Sequence, residues 1–303
     1  MLRSRSIYPK ASTCNSLIRA VFKLRGSVAG LAIYKEIFGL DEVVESKVRV
    51  RVSPNVQTFN TLMLCFYQDG MMQKVEEIWF EMEKLDCFPN LFSYSILMAA
   101  FFDEGKMAKA IKLWEEIRIK QIKPDVMAYN TIIKGFCNEG EMERAEELFR
   151  EMELSEIEAT CLTYEYLIKG YCKIGNLDTV ILLYKEMCRK DLRPEASTVS
   201  EVIGEMCNRD RVSEGLEFLR GVMKRGSFFP SDTSYTFLIK GLCEEGKMED
   251  ALMLQAEMGG KGYEPNSEIY TAFIEGNSKL GDEEKAGKLR KEMLGIGLQQ
   301  GED

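Results

Sequence analysis

Six of the seven prolines in this 303-residue chain fall on one ruler. Pro54, Pro89, Pro124, Pro194, Pro230 and Pro265 are separated by 35, 35, 70, 36 and 35 residues, and only Pro9 lies off the series. Such constancy means a tandem repeat, and a proline at the same place in each repeat marks where a helix cannot continue. Ala159 stands where the period calls for a proline that is absent. A second ruler agrees with the first, because Cys137, Cys172, Cys207 and Cys243 are 35, 35 and 36 residues apart.

The stretch Val126–Thr160 shows what is repeated. Tyr129, Ile132, Ile133 and Phe136 have the i, i+3, i+4, i+7 spacing of one helical face. Asn138, Glu139 and Gly140 break that pattern, and glycine takes a left-handed conformation cheaply between two antiparallel helices. Met142, Ala145, Leu148, Phe149 and Met152 form a second stripe with Glu and Arg opposite it. One such hairpin cannot bury its own stripes, so it must stack on others of its kind. The expected repeats are 11–55, 56–90, 91–125, 126–160, 161–195, 196–231, 232–266 and 267–301, followed by a two-residue tail at 302–303. Repeat one is about ten residues longer than the rest, with helices in NSLIRAVFKLRG and LAIYKEIF and an insertion, GLDEVVESKVRVRV, before Pro54. The fold class expected is all-α, one elongated domain of eight helical hairpins.

Composition closes off several chemistries. The chain has no histidine, which removes Ser-His-Asp and Cys-His catalysis and His-ligated zinc. No two of its nine cysteines are spaced Cys-x-x-Cys, so they read as small packing residues in a reducing compartment. No apolar run reaches the ~18 residues of a membrane span. The net charge of −9 is against a globally basic nucleic-acid binder, although a solenoid can keep a neutral or basic groove under an acidic outer face. Residues 1–35 hold Arg3, Arg5, Lys10, Arg19, Lys23, Arg25 and Lys35 and no acid before Glu36. This basic, acid-poor start is expected to be a targeting segment over residues 1–10, extending into repeat one, for a mitochondrion or, alternatively, a chloroplast.

The wording YNTIIKGFCNEGEMERAEELFREM, echoed by YEYLIKGYCKIGNLDTVILLYKEM and YTFLIKGLCEEGKMEDALMLQAEM, resembles the pentatricopeptide repeat in its pure 35-residue form. The resemblance covers Ala11 to Gly301. The related tetratricopeptide repeat has a 34-residue period and a Trp early in its first helix. Here Trp79 and Trp114 fall in second helices, equivalent to Tyr34, Phe149 and Tyr184, and read as core. The resemblance implies a right-handed α-α superhelix whose first helices line a groove for single-stranded RNA, about one base per repeat.

It also implies that the fifth and last residues of each repeat meet the base edge. Asn reaches a smaller pyrimidine, while Ser or Thr leaves room for a purine. Asp only accepts, suiting the ring N–H of G or U, whereas Asn can also donate to A or C. Carried across, Asn15 with Asn55 and Asn60 with Asn90 favour C or U, and Ser95 with Asp125 matches the G-reading pair. Asn130 with Thr160 favours a pyrimidine, Ser200 with Ser231 a purine, and Thr236 with Asn266 matches the A-reading pair. Repeat five departs from the pattern with Glu165 and Glu195, and repeat eight pairs Thr271 with a Gly301 that reads nothing. The expected target, amino end to 5′ end, is 5′-Y-Y-G-Y-N-R-A-R-3′.

A Ser, Thr or Asn near a helix start is also a common N-cap. The same register recurs at Asn15, Asn60, Ser95, Asn130, Ser200, Thr236 and Thr271, inside helices that begin a turn earlier, which favours groove-lining residues. Lys134, Lys169 and Lys240 follow four residues later and are expected to meet phosphates. Over the first twelve positions of the first helix, repeats six and eight carry Glu201, Glu205, Glu268 and Glu275 without a cation, whereas repeats one to four are neutral or positive. Binding is therefore expected to concentrate in the amino-terminal half. The expectation is a monomeric RNA-binding adaptor in organellar RNA processing, stabilisation or translation, with processing or translation proteins as further partners. Neither enzymatic activity nor a cofactor or metal is expected. The alternative is a protein-interaction solenoid that holds a peptide or helix in its groove.

Overall fold

The computed structural model describes residues 9–38, 53–224 and 230–296. They form fifteen α-helices and, among the described residues, no strand. Residues 1–8 of the basic start, the insertion at 39–52 and Gly301 lie outside the described residues. The chain divides into two compact bodies, Met1–Ala159 and Thr160–Asp303.

The first body opens with α1 (Ala11–Phe38), whose helical path is interrupted at Gly26, φ 81° and ψ 175°. The chain folds back there: a Cβ added to Gly30 would lie 2.0 Å from the Phe22 ring, a closeness that only a hairpin allows. Three further hairpins follow: α2 (Val56–Gln68) with α3 (Met72–Lys84), α4 (Leu91–Asp103) with α5 (Met107–Ile119), and α6 (Val126–Glu139) with α7 (Met142–Leu154). The second body holds α8 (Cys161–Lys173) with α9 (Leu177–Arg189), α10 (Ala196–Asn208) with α11 (Val212–Lys224), α12 (Asp232–Glu244) with α13 (Met248–Gly260), and α14 (Ser267–Lys279) with α15 (Glu283–Gly295). Within each body, every first helix packs against its own second helix and against the first helix of the next repeat.

The turns explain the length of the hairpins. The fifteenth residue of repeats two to eight is left-handed in every case: Gly70, Gly105, Gly140, Gly175, Asp210, Gly246 and Gly281. Glycine is the residue that adopts this conformation without a Cβ penalty, and only Asp210 departs from it.

Five of the hairpins are tied inside by a polar bond between their two helices. The fourth-position tyrosine donates to a glutamate 22 residues on: Tyr94 to Glu116 at 2.8 Å, Tyr129 to Glu151 at 3.2 Å, Tyr164 to Glu186 at 2.8 Å, Tyr235 to Glu257 at 3.1 Å and Tyr270 to Glu292 at 3.3 Å. Repeat two has Phe59 in that place, and its Glu81 is served instead by Tyr34 from the preceding repeat, at 3.0 Å. Repeat six has lost both partners, with Val199 and Gly221 at the two positions. Losing both avoids the desolvation penalty that either polar group would suffer alone.

Second-helix aromatics face the next tyrosine. Trp79 meets Tyr94 edge-on with centroids 5.1 Å apart, and Trp114 meets Tyr129 at 5.2 Å. Both tryptophans are buried, as their register in the repeat predicts. Burial pushes the thiols of Cys172, Cys207 and Cys243 up to about 12, with nearby glutamates adding to the effect, so they pack as neutral groups. No described helix is long and apolar enough to cross a membrane.

Candidate nucleic-acid interface

The first helices begin at Val56, Leu91, Val126, Cys161, Ala196, Asp232 and Ser267, the residues that open repeats two to eight. This register puts the last residue of each preceding repeat at the N-cap. Asn55, Asn90, Asp125 and Asn266 accept the backbone N–H of residues 58, 93, 128 and 269 at 2.9–3.0 Å, and Ser231 accepts that of Ser234 at 3.3 Å. Thr160 caps α8 through Thr163, whose hydroxyl takes the Thr160 N–H at 3.0 Å. Capping therefore belongs to the last residue of the proposed pair. The fifth residue lies inside the helix: Asn15, Asn60, Ser95, Asn130, Ser200 and Thr236 are buried, and Thr271 is half-buried.

Several pairs are joined directly. Asn60 Nδ2 donates to Asn90 Oδ1 at 3.1 Å, the Ser200 and Ser231 hydroxyls are 2.6 Å apart, and Asn266 Nδ2 donates to Thr236 Oγ1 at 3.2 Å. The hydroxyls of Ser95, Ser200 and Thr236 donate back to the carbonyls of residues 91, 196 and 232. Asp125 uses Oδ1 on Ala128 N at 2.9 Å, and its exposed carboxylate turns its remaining acceptor capacity outward. Asn15 does not reach its expected partner Asn55. It is buried, with neither amide atom hydrogen-bonded among the described residues.

The site has a hollow at repeat two. A cavity of about 530 Å³ is lined by Asn60 and Asn90 together with Asn55, Arg19, Gln57 and Phe92. Its size falls within the ~300–1,000 Å³ range of small-ligand pockets. Gln57 and Phe92 hold the second position of successive repeats, a position that pattern reasoning missed. The available signal was a side chain in the first helical turn left out of the apolar stripe, as are Met127 and Leu162, 40% and 48% exposed at the same position.

Repeat five is built differently. Glu165, only 3% exposed, takes the Glu195 N–H at 2.7 Å. Its carboxylate thereby replaces the Thr198 hydroxyl, which is buried and makes no hydrogen bond among the described residues. The sequence alone puts both acids in the groove, whereas Glu165 is folded into the cap of α10 and Glu195 alone is exposed. Burial, with Glu165 and Glu195 beside it, pushes the Cys161 thiol up to about 11.

The three lysines are not equivalent. Lys134 is half-buried on α6, Lys240 is exposed on α12, and Lys169 lies 3.9 Å from Glu201. That exposed pairing competes weakly with any phosphate.

The PPR repeat family model matches residues 54–103, 96–137, 124–173 and 230–279, and the PPR repeat model matches 162–192 and 268–298. The chain belongs to the pentatricopeptide repeat family. A pentatricopeptide repeat-containing protein of Arabidopsis thaliana is 46% identical over 86 residues, 27% of this chain and 17% of that protein. The crystal structure of the maize pentatricopeptide repeat protein PPR10 superposes with a TM-score of 0.69 at 19% identity, over 97% of this chain and 45% of that one. The same protein in complex with an 18-nt psaJ RNA element gives 0.57 at 18% identity, over 95% and 45%. These likenesses show the all-α helical-repeat fold, and the chain spans less than half the length of both relatives.

Proposed function

We propose that this pentatricopeptide repeat chain is a sequence-selective single-stranded RNA-binding adaptor of organellar RNA processing, stabilisation or translation, taking about one base per repeat. The observation that carries the reading is the recurring polar pair, a buried fifth residue beside an N-capping last residue, hydrogen-bonded at Asn60–Asn90, Ser200–Ser231 and Thr236–Asn266 and opening onto a cavity at the first of these. A nucleobase has a flat face to stack and a hydrogen-bonding edge to read, and a short polar pair beside Phe92 and Gln57 suits both. The PPR10 complex with an RNA element supports the same partner. Ser95 with Asp125 is assigned to G, Thr236 with Asn266 to A, and the Asn15, Asn60 and Asn130 repeats to pyrimidines. Repeat five is assigned no base. Lys134 and Lys240 are assigned to phosphates, with Lys169 weakened by Glu201.

The test is a titration of labelled 5′-Y-Y-G-Y-N-R-A-R-3′ RNA against a scrambled oligomer of the same composition. The assignment predicts at least about tenfold tighter binding of the ordered sequence, the discrimination of one good bidentate contact. Equal or negligible binding of both contradicts it.

A further inference from the structure

The polar pairs are not chemically alike, and a neighbouring side chain that does not line the cavity fills one acceptor in some of them and none in others. Asn55 Oδ1 accepts both the backbone N–H and the hydroxyl of Thr58, at 3.0 and 3.1 Å. Asn90 Oδ1 accepts the Ser93 N–H at 3.0 Å and the Asn60 amide at 3.1 Å. The single Ser93 hydroxyl proton goes to Asn60 Oδ1 at 2.6 Å, the shorter of its two contacts. A carbonyl oxygen has two lone pairs, so both capping oxygens are full. What Asn55 and Asn90 can still offer is N–H alone.

Asn266 differs. Among the described residues its Oδ1 accepts only the Ile269 N–H, at 3.0 Å, and one amide proton goes to Thr236. The residue in the place of Thr58 and Ser93 is here Ile269, which has no hydroxyl. Asn266 therefore keeps one lone pair and one proton.

We infer that the third residue of the following repeat, Thr58, Ser93 or Ile269, is a positioning residue that sets whether a polar pair keeps a free acceptor, by filling the capping oxygen (Thr58 on Asn55) or the fifth-residue oxygen (Ser93 on Asn60) or neither (Ile269), and so selects the base. The inference rests on the RNA-reading function proposed above. A donor-only amide meets the adjacent acceptors N3 and O2 of cytosine, whereas uracil opposes it with its own N3–H. A donor with an acceptor meets N1 and the exocyclic amine of adenine. One third-position change should thus move base preference without touching either residue of the pair.

The experiment measures the full chain against RNA oligomers that differ only at the base opposite repeat two (C or U) or repeat seven (A or C). Wild type should prefer C over U by about 3- to 10-fold, the worth of one neutral hydrogen bond. Ser93→Ala frees the Asn60 acceptor and should bring that ratio to within about twofold, and Ser93→Thr should restore it. Ile269→Thr, a residue found at this position in other repeats, should occupy the Asn266 acceptor and lower the preference for A by a similar factor. Equal weakening of both oligomers by Ser93→Ala, with the ratio kept, means a structural role and overturns the inference. An unchanged preference for A in a binding-competent Ile269→Thr protein overturns it independently. Binding of no oligomer by wild type overturns the RNA reading and this inference with it, whereas binding with unmoved ratios overturns the inference alone.

Discussion

The junction after repeat two and the junction after repeat five use one architecture for opposite ends. In both, the last residue of the repeat holds the N-cap position of the next helix, and a Ser or Thr stands three positions later. After repeat two, Asn90 accepts the Ser93 N–H, Ser93 accepts the Asn90 N–H, and Asn60 joins them beside a cavity. After repeat five, Glu165 takes the Glu195 N–H, and the Thr198 hydroxyl has no partner among the described residues. A longer acidic side chain at the fifth position has turned the polar pair into an internal cap. On the proposed function, position in the repeat makes a residue available to a base, and the hydrogen bonds it has already made decide whether it can read one.

The largest expected effect that separates the two junctions is on binding. Asn60→Ala should weaken the preferred RNA about tenfold, roughly the 1–3 kcal/mol of a good base contact, whereas Glu165→Ala should leave affinity within about twofold. Fluorescence anisotropy with the two variants side by side measures this, and equal losses would erase the distinction.

Stability should separate them next. Ser93→Ala removes a bonded capping-box hydroxyl and should cost about 1 kcal/mol in denaturant unfolding. Thr198→Val removes a buried hydroxyl that has no partner, and should be neutral or stabilising by up to about 1 kcal/mol. A matching cost at both positions would mean that Thr198 is bonded after all.

The smallest effect near neutral pH belongs to the thiols. Cys161 is raised to about 11 and Cys172, Cys207 and Cys243 to about 12 in the folded chain, from an ordinary value of 9.0. A raised folded value means that the unfolded chain loses its protons first. The contribution to stability is therefore intact below about pH 9 and lost as pH rises from there through the folded values. Thermal melts should be flat across neutral pH and fall in alkali. Replacing Cys172 and Cys243 by Ala should flatten the alkaline fall, and an unaltered fall would assign it to other groups.

Much of this was legible in the amino-acid sequence because stacking imposes a period. The turn at Gly140, the core role of Trp79 and Trp114, and the packing of Cys137 all follow from where apolar residues recur. The place of the fifth residues inside the first helices follows from the same register, whereas their role toward a base is what the family resemblance implies. The state of each pair was not legible, because it depends on side chains about 30 residues apart in sequence. Thr58 and Thr198 look alike in the repeat, yet only the first keeps its bond, since Glu165 folds back onto the Glu195 amide. Ser93 and Ile269 likewise look like a cap residue and a core residue until the partners of Asn90 and Asn266 are counted. The second-position side chains Gln57 and Phe92 escaped because a period search rewards buried residues, and these line an open cavity.

The most direct measurement is selection from a random RNA pool by the purified chain, followed by sequencing. The account predicts an enriched register with C at the second position, G at the third, no preference at the fifth and A at the seventh. An unenriched pool, or an enriched motif with its strongest preference at the fifth position, would contradict it.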